Sequence, residues 1–409
     1  MSNGLSSILD LVDQSYPSQR SLFLSLEWNQ INQLFKSKYD ISVADLDPVL
    51  CFTWKIICGT VNESRNIKNG LLYLYRIFPK YQSFSLMPSL KALEHILDLL
   101  DQDAYLLQES VAVSVSETDY LAYVWIPLFR RLFPPNYNIR IKSGETCYPY
   151  TLKCKQDMYK NSKKVSGFKV DLRFIVEKDG REYDICSVEA ACNAQADTKV
   201  ISDEGKLNRE MKDHLDAMIE MMGNATTTAT ELCGWGIQII GASCLIRSLH
   251  LADNGLYVAI HHFDITLPRS IPELQQFTTT MSQLLTFRQH LLKSVDFILS
   301  HAKSNNKQPN SFNSRDVTVV MDGKQRDTWY TPPENTESRL PVNLTSLSPL
   351  SSLKAKLLSL ACKDSLGALN DKNDDEEDRD DFGWKYDGKI WCNMYTGERS
   401  ENSPYEETG

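Results

Sequence analysis

The chain has 409 residues, enough for two or three folding units, and its 42% hydrophobic content is ordinary for a globular protein. Its formal net charge of −9 argues against a generally basic nucleic-acid-binding protein. No apolar run approaches the roughly 18 residues of a membrane-spanning helix, so we expect no membrane insertion.

The cysteines and the first residues indicate an intracellular protein, nuclear or cytoplasmic. The ten cysteines include no Cys-x-x-Cys pair, and the two closest, Cys186 and Cys192, fit no zinc spacing. We therefore expect reduced, mostly buried thiols. Residues 1–10 lack the basic and apolar regions of a secretory signal.

Residues 1–110 are expected to form an N-terminal helical region. Apolar residues recur at helical spacing from Leu90 to Leu100, which predicts a helix there. The run from Leu71 to Phe78 is another buried element, either helix or strand. This region contains no chemical motif, so we interpret it as a structural layer.

Residues 111–302 alternate between helical and strand patterns. Ser116 can cap a helix that has acids in its first turn, Pro127 would kink or divide that helix, and Pro134-Pro135 ends it. We predict short strands at 139–141 and 148–153, followed by a lysine-rich loop and a hairpin.

The hairpin carries the one arrangement in the sequence that points to chemistry. Its strands, 169–176 and 183–189, are joined by a turn that contains Asp179-Gly180, a strong hairpin signal. Asp171 lies on the first strand and Glu189 on the second. Two carboxylates on adjacent strands are what a hard divalent cation requires.

A helix at 202–222 should follow, with its apolar stripe running from Leu207 to Met222. We expect the other sides of this helix to be covered by polar residues, with His214 at the surface beside Lys206, Arg209, Glu210, Lys212 and Asp213. A strand at 235–241, a second hairpin with strands 245–251 and 256–265, and a helix at 271–302 complete this part. His261 and His262 alternate on one strand, so they cannot bind one metal ion.

The order helix, strand, strand, strand, helix, strand over residues 116–241 resembles the core of the PD-(D/E)xK superfamily, the restriction-endonuclease-like fold. The pattern from Lys199 to Asp216 is also similar to that of uncharacterised fungal proteins with a nuclease-like core. The resemblance implies that Asp171 and Glu189 hold Mg²⁺ and that Glu117 on the first helix assists. It further implies phosphodiester hydrolysis by water activated by the metal and a lysine.

Ala191 stands where the superfamily has the lysine of its Glu-x-Lys motif. An alanine side chain neither carries charge nor donates a hydrogen bond. Three explanations are open. The lysine has moved to Lys199 or Lys206, Asn193 substitutes as a donor, or the site is inactive and the protein is a pseudo-nuclease.

A net basic stretch precedes the site. Its lysines can neutralise phosphates without reading bases, and the candidates are Lys153, Lys155, Lys160, Lys163 and Lys164. The alternative is an ordinary solvated loop.

Residues 303–381 are rich in Asn, Ser, Pro and charge, which predicts a disordered linker that ends in an acidic run. Residues 382–405 resemble a WW domain at Trp384, Trp391, Asn393 and Pro404. Glu401 replaces the family's second Trp, so the resemblance implies a degenerate segment without the groove for proline-rich ligands.

Together these patterns predict an α/β protein with a restriction-endonuclease-like mixed sheet flanked by helices, an N-terminal helical region and a disordered C-terminal tail. The favoured function is a nuclease-related protein that binds or cleaves nucleic acid with Mg²⁺. The alternative is a catalytically inactive scaffold whose tail recruits a protein partner.

Overall fold

The computed structural model describes residues 2–14, 18–81, 85–108, 115–162, 164–192, 197–222, 232–301, 325–331, 384–386, 391–393 and 399–400. The chain divides into two compact units. The first contains Met1–Asp13 and Asp40–Leu344, and the second contains Gln14–Tyr39 and Thr345–Gly409. Most of the predicted linker at 303–381 lies outside the described residues.

The N-terminal half of the first unit is helical. It begins with a short helix α1 (Ser2–Leu5) and a strand β1 (Ile8–Asp10). The next helix, α2 (Ser25–Tyr39), belongs to the second unit. The first unit continues with the helices α3 (Pro48–Ser64), α4 (Ile67–Tyr81) and α5 (Met87–Gln102). The predicted helix at Leu90–Leu100 is confirmed, and the undecided run Leu71–Phe78 is helical.

The next helical segment begins at the predicted cap. The Ser116 hydroxyl accepts from the backbone N–H of Asp119, and the Asp119 carboxylate accepts from the backbone N–H of Ser116, which satisfies two free N–H groups of the first turn. The segment comprises α6 (Glu117–Asp119), a π-helical stretch (Tyr120–Trp125) and α7 (Ile126–Leu132). Pro127 stands where the π-helical stretch gives way to α7, as expected of a residue without an N–H.

A seven-stranded mixed sheet forms the centre of this unit. Its later strands are β2 (Arg140–Thr146), β3 (Val170–Lys178), β4 (Arg181–Ala191), β5 (Gly234–Ile240), β6 (Ser243–Asp253) and β7 (Leu256–Thr266), in the order β1-β7-β6-β5-β4-β3-β2. The pairs β1–β7 and β4–β5 are parallel and the others antiparallel.

Both predicted hairpins are confirmed. In the first, Asp179 and Gly180 have φ values of +54° and +73°, which match the turn that follows the twist of two antiparallel strands. In the second, Gly255 has a φ of +68°. Strand β1 was not predicted, because its three residues are too few to give a strand pattern.

The predicted strand at 148–153 is wrong, because these residues begin helix α8 (Pro149–Met158). Pro149 occupies the first turn, where its missing N–H is harmless and its fixed φ already suits a helix. The buried residues Thr151 and Lys155 are four apart, which is helical spacing rather than strand alternation.

One face of the sheet is apolar. It packs against α7 and against α10 (Phe277–His301), which follows a 3₁₀ turn (Ile271–Gln276) within the predicted helix at 271–302. Ring contacts join the layers, with centroids of Phe133 and Phe174 5.4 Å apart and those of Trp235 and Phe287 5.3 Å apart.

The other face is covered by helix α9 (Asp197–Met222), which connects the parallel strands β4 and β5. Two glycines of β5 allow a close approach. A Cβ at Gly234 would lie 2.0 Å from the Met211 carbonyl oxygen, and one at Gly236 would lie 2.7 Å from the Met211 sulfur. The expectation that charged residues cover the outer sides of this helix is wrong for Arg209, Glu210, Lys212, Asp213 and His214, which are buried.

The second unit contains a three-stranded antiparallel sheet of β8 (Trp384–Tyr386), β9 (Trp391–Asn393) and β10 (Arg399–Ser400). Trp384 lies on β8, Trp391 and Asn393 lie on β9, and Pro404 lies outside the described residues. The likeness to a WW domain stays a prediction. Within the described part of the chain, no helix is both long and apolar enough to cross a membrane.

We expect Gly234→Ala to lower the free energy of unfolding by about 1–3 kcal/mol, because the added methyl group would displace the α9 backbone from the sheet. Gly59→Ala on the exposed side of α3, where a Cβ would meet nothing within 4 Å, should instead raise it by about 0.5–1 kcal/mol. Urea unfolding followed by circular dichroism measures both. Equal effects of the two substitutions would contradict the close packing of α9 on β5.

Candidate functional site

The two strand carboxylates predicted to form the site lie on the face of the sheet that α9 covers. Leu172 pairs with Val188 across β3 and β4, so the next pair outward sets Asp171 opposite Glu189. The Asp171 Oδ2 accepts a hydrogen bond from the backbone N–H of Ala190 at 2.8 Å. The Glu189 side chain is almost fully buried.

Both lysines that the sequence offered as replacements reach this pair of strands from α9. The Lys206 Nζ lies 2.7 Å from the Glu189 Oε1. The Lys199 Nζ donates to the Ala190 carbonyl oxygen at 3.0 Å and forms an ion pair with Glu117, the predicted helix acid.

Ala191, at the motif position of the family's lysine, is only 1% exposed. It provides no positive charge at this position of β4, and α9 supplies the positive charge instead. Asn193, the third candidate for that role, lies outside the described residues.

A further acid, Asp203 on α9, belongs to the same cluster and was not predicted. Its Oδ2 is buried and lies 3.9 Å from the Lys199 Nζ. Asp203 follows Lys199 by four residues, and Lys206 and the buried Leu207 follow Asp203 by three and four, so these residues share one side of the helix. This spacing was visible in the sequence, but it could not show which side of α9 faces the sheet.

Burial raises the pKa values of three acids in the cluster above their usual values. Burial raises the pKa of Glu189 to about 8, against the opposing effect of Lys206. Burial also raises the pKa of Asp171 and that of Asp203. Burial alone would lower the pKa of Lys199, but the hydrogen bond to Glu117 and the neighbouring carboxylates raise it overall.

The cluster carries more acid than base. Four carboxylates (Glu117, Asp171, Glu189 and Asp203) face two ammonium groups (Lys199 and Lys206), which gives a formal charge of −2 when all are ionised. The Glu189 Oε1 is ion-paired with Lys206 but has no hydrogen-bond partner of good geometry among the described residues. The Asp203 Oδ2 lies 3.9 Å from the Lys199 Nζ and likewise has no hydrogen-bond partner among the described residues.

These residues fit a divalent cation by donor chemistry, since carboxylate oxygens are the ligands that Mg²⁺ and Mn²⁺ prefer. No three His, Cys, Asp or Glu side chains converge as a ready-made metal site within the described ranges. Mg²⁺ commonly uses one or two carboxylates together with substrate phosphates, so Asp171 and Glu189 would suffice as protein ligands. In this structure the Lys206 ammonium provides the positive charge next to Glu189.

A second group of polar residues lies buried between α9 and the strands β3 and β4. Arg173 on β3 donates to Asp184 on β4 at 2.6 and 2.5 Å. The Ser187 hydroxyl lies 3.2 Å from the His214 Nε2, so the placement of His214 at the surface is wrong. Glu210 is fully buried, and neither of its carboxylate oxygens has a hydrogen-bond partner among the described residues.

Residues 325–331, within the predicted disordered linker, cover the outer side of α9. Thr328 and Tyr330 donate to the Asp213 carboxylate at 2.6 and 2.9 Å, and Lys212 donates to the Thr328 hydroxyl at 3.1 Å. Arg209 lies over the Trp329 ring. This segment therefore excludes water from the charged side of α9, and its few residues gave no sequence signal for that role.

The lysines predicted to bind nucleic acid divide into three groups. Lys153, Lys160 and Lys164 are exposed. Lys155 is buried, and burial lowers its pKa, so its assignment to phosphate binding is wrong. Lys163 lies outside the described residues.

Comparisons of this chain with protein-family models, with curated proteins and with solved structures gave no match.

Glu210 should make the protein less stable as the pH rises. Burial raises the pKa of Glu210 well above its usual 4.5, so above about pH 5 the folded chain holds a proton that the unfolded chain has released. The free energy of unfolding then falls by up to about 1.4 kcal/mol per pH unit through this group.

Glu210→Gln mimics the protonated acid and should remove the contribution of Glu210 to that slope. The free energy of unfolding of the variant, relative to that of the wild type, should therefore increase between about pH 5 and pH 9. Urea unfolding across this range measures the difference. The matched variant Glu177→Gln, at an exposed position on β3, should keep the wild-type slope. Parallel curves for the wild type and Glu210→Gln would contradict a buried, protonated Glu210.

Proposed function

We propose that this protein is a metal-dependent phosphodiesterase of the restriction-endonuclease-like class that acts on nucleic acid. The observation that carries the proposal is the meeting of Asp171 and Glu189 with two lysines of α9 at one place on the sheet. Carboxylates next to lysine ammonium groups are the components that hydrolysis of a phosphodiester requires, since they hold a cation and stabilise negative charge on the phosphate.

Asp171 and Glu189 would hold Mg²⁺ in this proposal, and the cation would supply an acidified water and a Lewis acid for the phosphate. Lys206 would balance charge on the phosphate from its position next to Glu189. Glu117 would act as a positioning residue, because its ion pair orients Lys199.

The outer side of the site is partly exposed to solvent. The Lys199 side chain is 44% exposed and that of Glu117 is 30% exposed, whereas Glu189 lies in the interior. Exposed lysines at 153, 160 and 164 add positive charge that can bind phosphates. The described residues around the site do not distinguish DNA from RNA.

The rival proposal is a catalytically inactive scaffold, and one observation favours it. Both lysines are already engaged by protein groups, Lys206 by Glu189 and Lys199 by Glu117 and the Ala190 carbonyl oxygen. Such pairs would also stabilise a sheet with no catalytic role. In this alternative the C-terminal segment recruits a protein partner.

Incubation of the full chain with single- and double-stranded DNA and RNA, in Mg²⁺ or Mn²⁺, separates the two proposals. We expect cleavage that the double variant Asp171→Asn/Glu189→Gln lacks. Lys206→Met should reduce the rate about 10²- to 10⁴-fold, the usual range for loss of a positioned catalytic group.

Lys55→Met, at an exposed position on α3, is the matched control and should cleave at the wild-type rate. No metal-dependent cleavage of any of the four substrates by folded protein would favour the scaffold. Cleavage that survives in the double variant would point to a contaminant or to another site.

A further inference from the structure

Residues 325–331 lie on the outer side of α9 in the way that an extended peptide lies in a binding groove. They belong to no helix or strand, and their exposure alternates along the chain. Thr328 and Tyr330 are buried, whereas Asp327 and Thr331 are exposed. An alternation of period two is that of an extended backbone, so one row of side chains faces the protein.

Side chains of the protein bind the main chain of this segment. The carbonyl oxygen of Trp329 accepts from Arg209 at 3.3 Å, and that of Tyr330 accepts from the Tyr159 hydroxyl at 2.8 Å. The backbone N–H of Trp329 donates to the Ser6 hydroxyl at 3.0 Å. Hydrogen bonds to the main chain give an extended ligand affinity that does not depend on its side chains.

Two side chains of the segment add selectivity. The hydroxyls of Thr328 and Tyr330 donate to the Asp213 carboxylate at 2.6 and 2.9 Å, and the Tyr330 ring lies 5.5 Å from the Phe168 ring between centroids. A carboxylate in this position selects hydroxyl groups two residues apart, because hydrogen bonds to a charged acceptor are strong. The surface therefore fits an extended segment of the pattern Thr-x-Tyr. We call it the α9 groove, and it is formed by Ser6, Tyr159, Phe168, Arg209, Lys212 and Asp213.

The charged groups that the segment covers also have partners in the folded core. Asp213 accepts from the Thr151 hydroxyl at 2.7 Å. Lys212 is paired with Asp216 at 2.5 Å, and Asp216 accepts from the Tyr257 hydroxyl at 2.6 Å. Removal of a sole partner from a buried charge is strongly destabilising, but here each charge keeps a partner when the segment leaves.

Arg209 is held independently of the segment in the same way. Its Nε donates to the Gly205 carbonyl oxygen at 2.9 Å, and its guanidinium lies 4.4 Å from the centroid of the Phe168 ring. The α9 groove is therefore arranged by contacts within the core, and its occupant is replaceable.

The connection between the groove and its occupant is long enough for exchange between chains. Helix α10 ends at His301 and the segment begins at Gln325, so residues 302–324 separate them. A fully extended chain spans about 3.3 Å per residue, which gives these residues a reach of up to about 75 Å. That reach exceeds the size of a compact domain, so the segment of one chain can reach the groove of another.

We propose that the α9 groove is a binding site for an extended Thr-x-Tyr segment, and that residues 325–331 of a second copy of this chain occupy it when the chain's own segment leaves. The inference is independent of the proposed function, since neither the groove nor the segment contains a residue of the candidate site.

Fluorescence anisotropy with a labelled peptide of residues 323–333, which represents the segment of a second copy, tests the proposal. The full-length variant Thr328→Ala/Tyr330→Ala lacks the two hydroxyls and the ring that hold its own segment. We expect it to bind the peptide at least tenfold more tightly than the wild type. In the wild type the chain's own segment competes at an effective concentration of about 1 mM.

Matched variants locate the bound peptide. A peptide with Thr328→Val and Tyr330→Phe cannot donate to Asp213, and it should bind the double variant at least tenfold more weakly than the unchanged peptide. Tyr159→Phe, added to the double variant, removes the donor to the Tyr330 carbonyl oxygen and should weaken binding about threefold to tenfold. Thr331→Ala, at an exposed position of the segment, should leave the chain with wild-type binding.

Three outcomes would overturn the proposal. Loss of cooperative urea unfolding in the double variant would show that the segment is a fixed part of the core. A folded double variant that binds no peptide up to about 1 mM would show that the groove takes no segment from another chain. Equal affinities of the wild type and the double variant, unchanged by Tyr159→Phe, would place the peptide elsewhere on the protein.

Discussion

Helix α9 carries charged residues on the side that meets the sheet and on the side that meets residues 325–331, and the rest of the structure depends on how those charges are satisfied. Burial of a charged group is strongly unfavourable unless it is paired or changes its protonation. The Asp213 carboxylate accepts hydrogen bonds from the hydroxyls of Thr328 and Tyr330. Lys212 forms an ion pair with Asp216 at 2.5 Å. Glu210 has no hydrogen-bond partner among the described residues, and burial raises its pKa well above the usual value.

The same packing brings lysines to the strand carboxylates. Gly234 and Gly236 allow α9 to approach β5 closely, and Lys206 then lies 2.7 Å from Glu189 on the neighbouring strand β4. A side chain at either glycine would move α9 away from the sheet, and Lys206 would then lie further from Glu189. The helix–sheet distance therefore links the stability of the fold to the chemistry of the candidate site.

The hairpins were predictable because their signals are local: two strands of apolar residues and a turn with Asp-Gly or Asn-Gly at its centre. Asp171 and Glu189 could be paired from the sequence for the same reason. The choice between Lys199 and Lys206 could not be made, because it depends on the rotation and height of α9 above the sheet. The structure brings both lysines to the site.

The burial of His214, Glu210 and Asp213 was not predictable from periodicity. A charged residue opposite an apolar stripe usually faces solvent. Asp213 is instead covered by Thr328 and Tyr330, more than 100 positions further along the chain, and His214 lies against Ser187 on β4. Lys155 was misjudged in the same way, since a lysine in a basic stretch carries no sign of its own burial. Such long-range covering is a tertiary contact, and local patterns do not encode it.

We propose that Asp171 and Glu189 form a cation site to which α9 contributes its lysines. Crystals of the full chain grown or soaked in Mn²⁺, measured at the manganese absorption edge, test it most directly. We expect an anomalous peak about 2.1–2.3 Å from carboxylate oxygens of both residues, with the Lys206 ammonium displaced from Glu189. Saturating Mn²⁺ with no peak there, and with Lys206 still paired to Glu189, would contradict it.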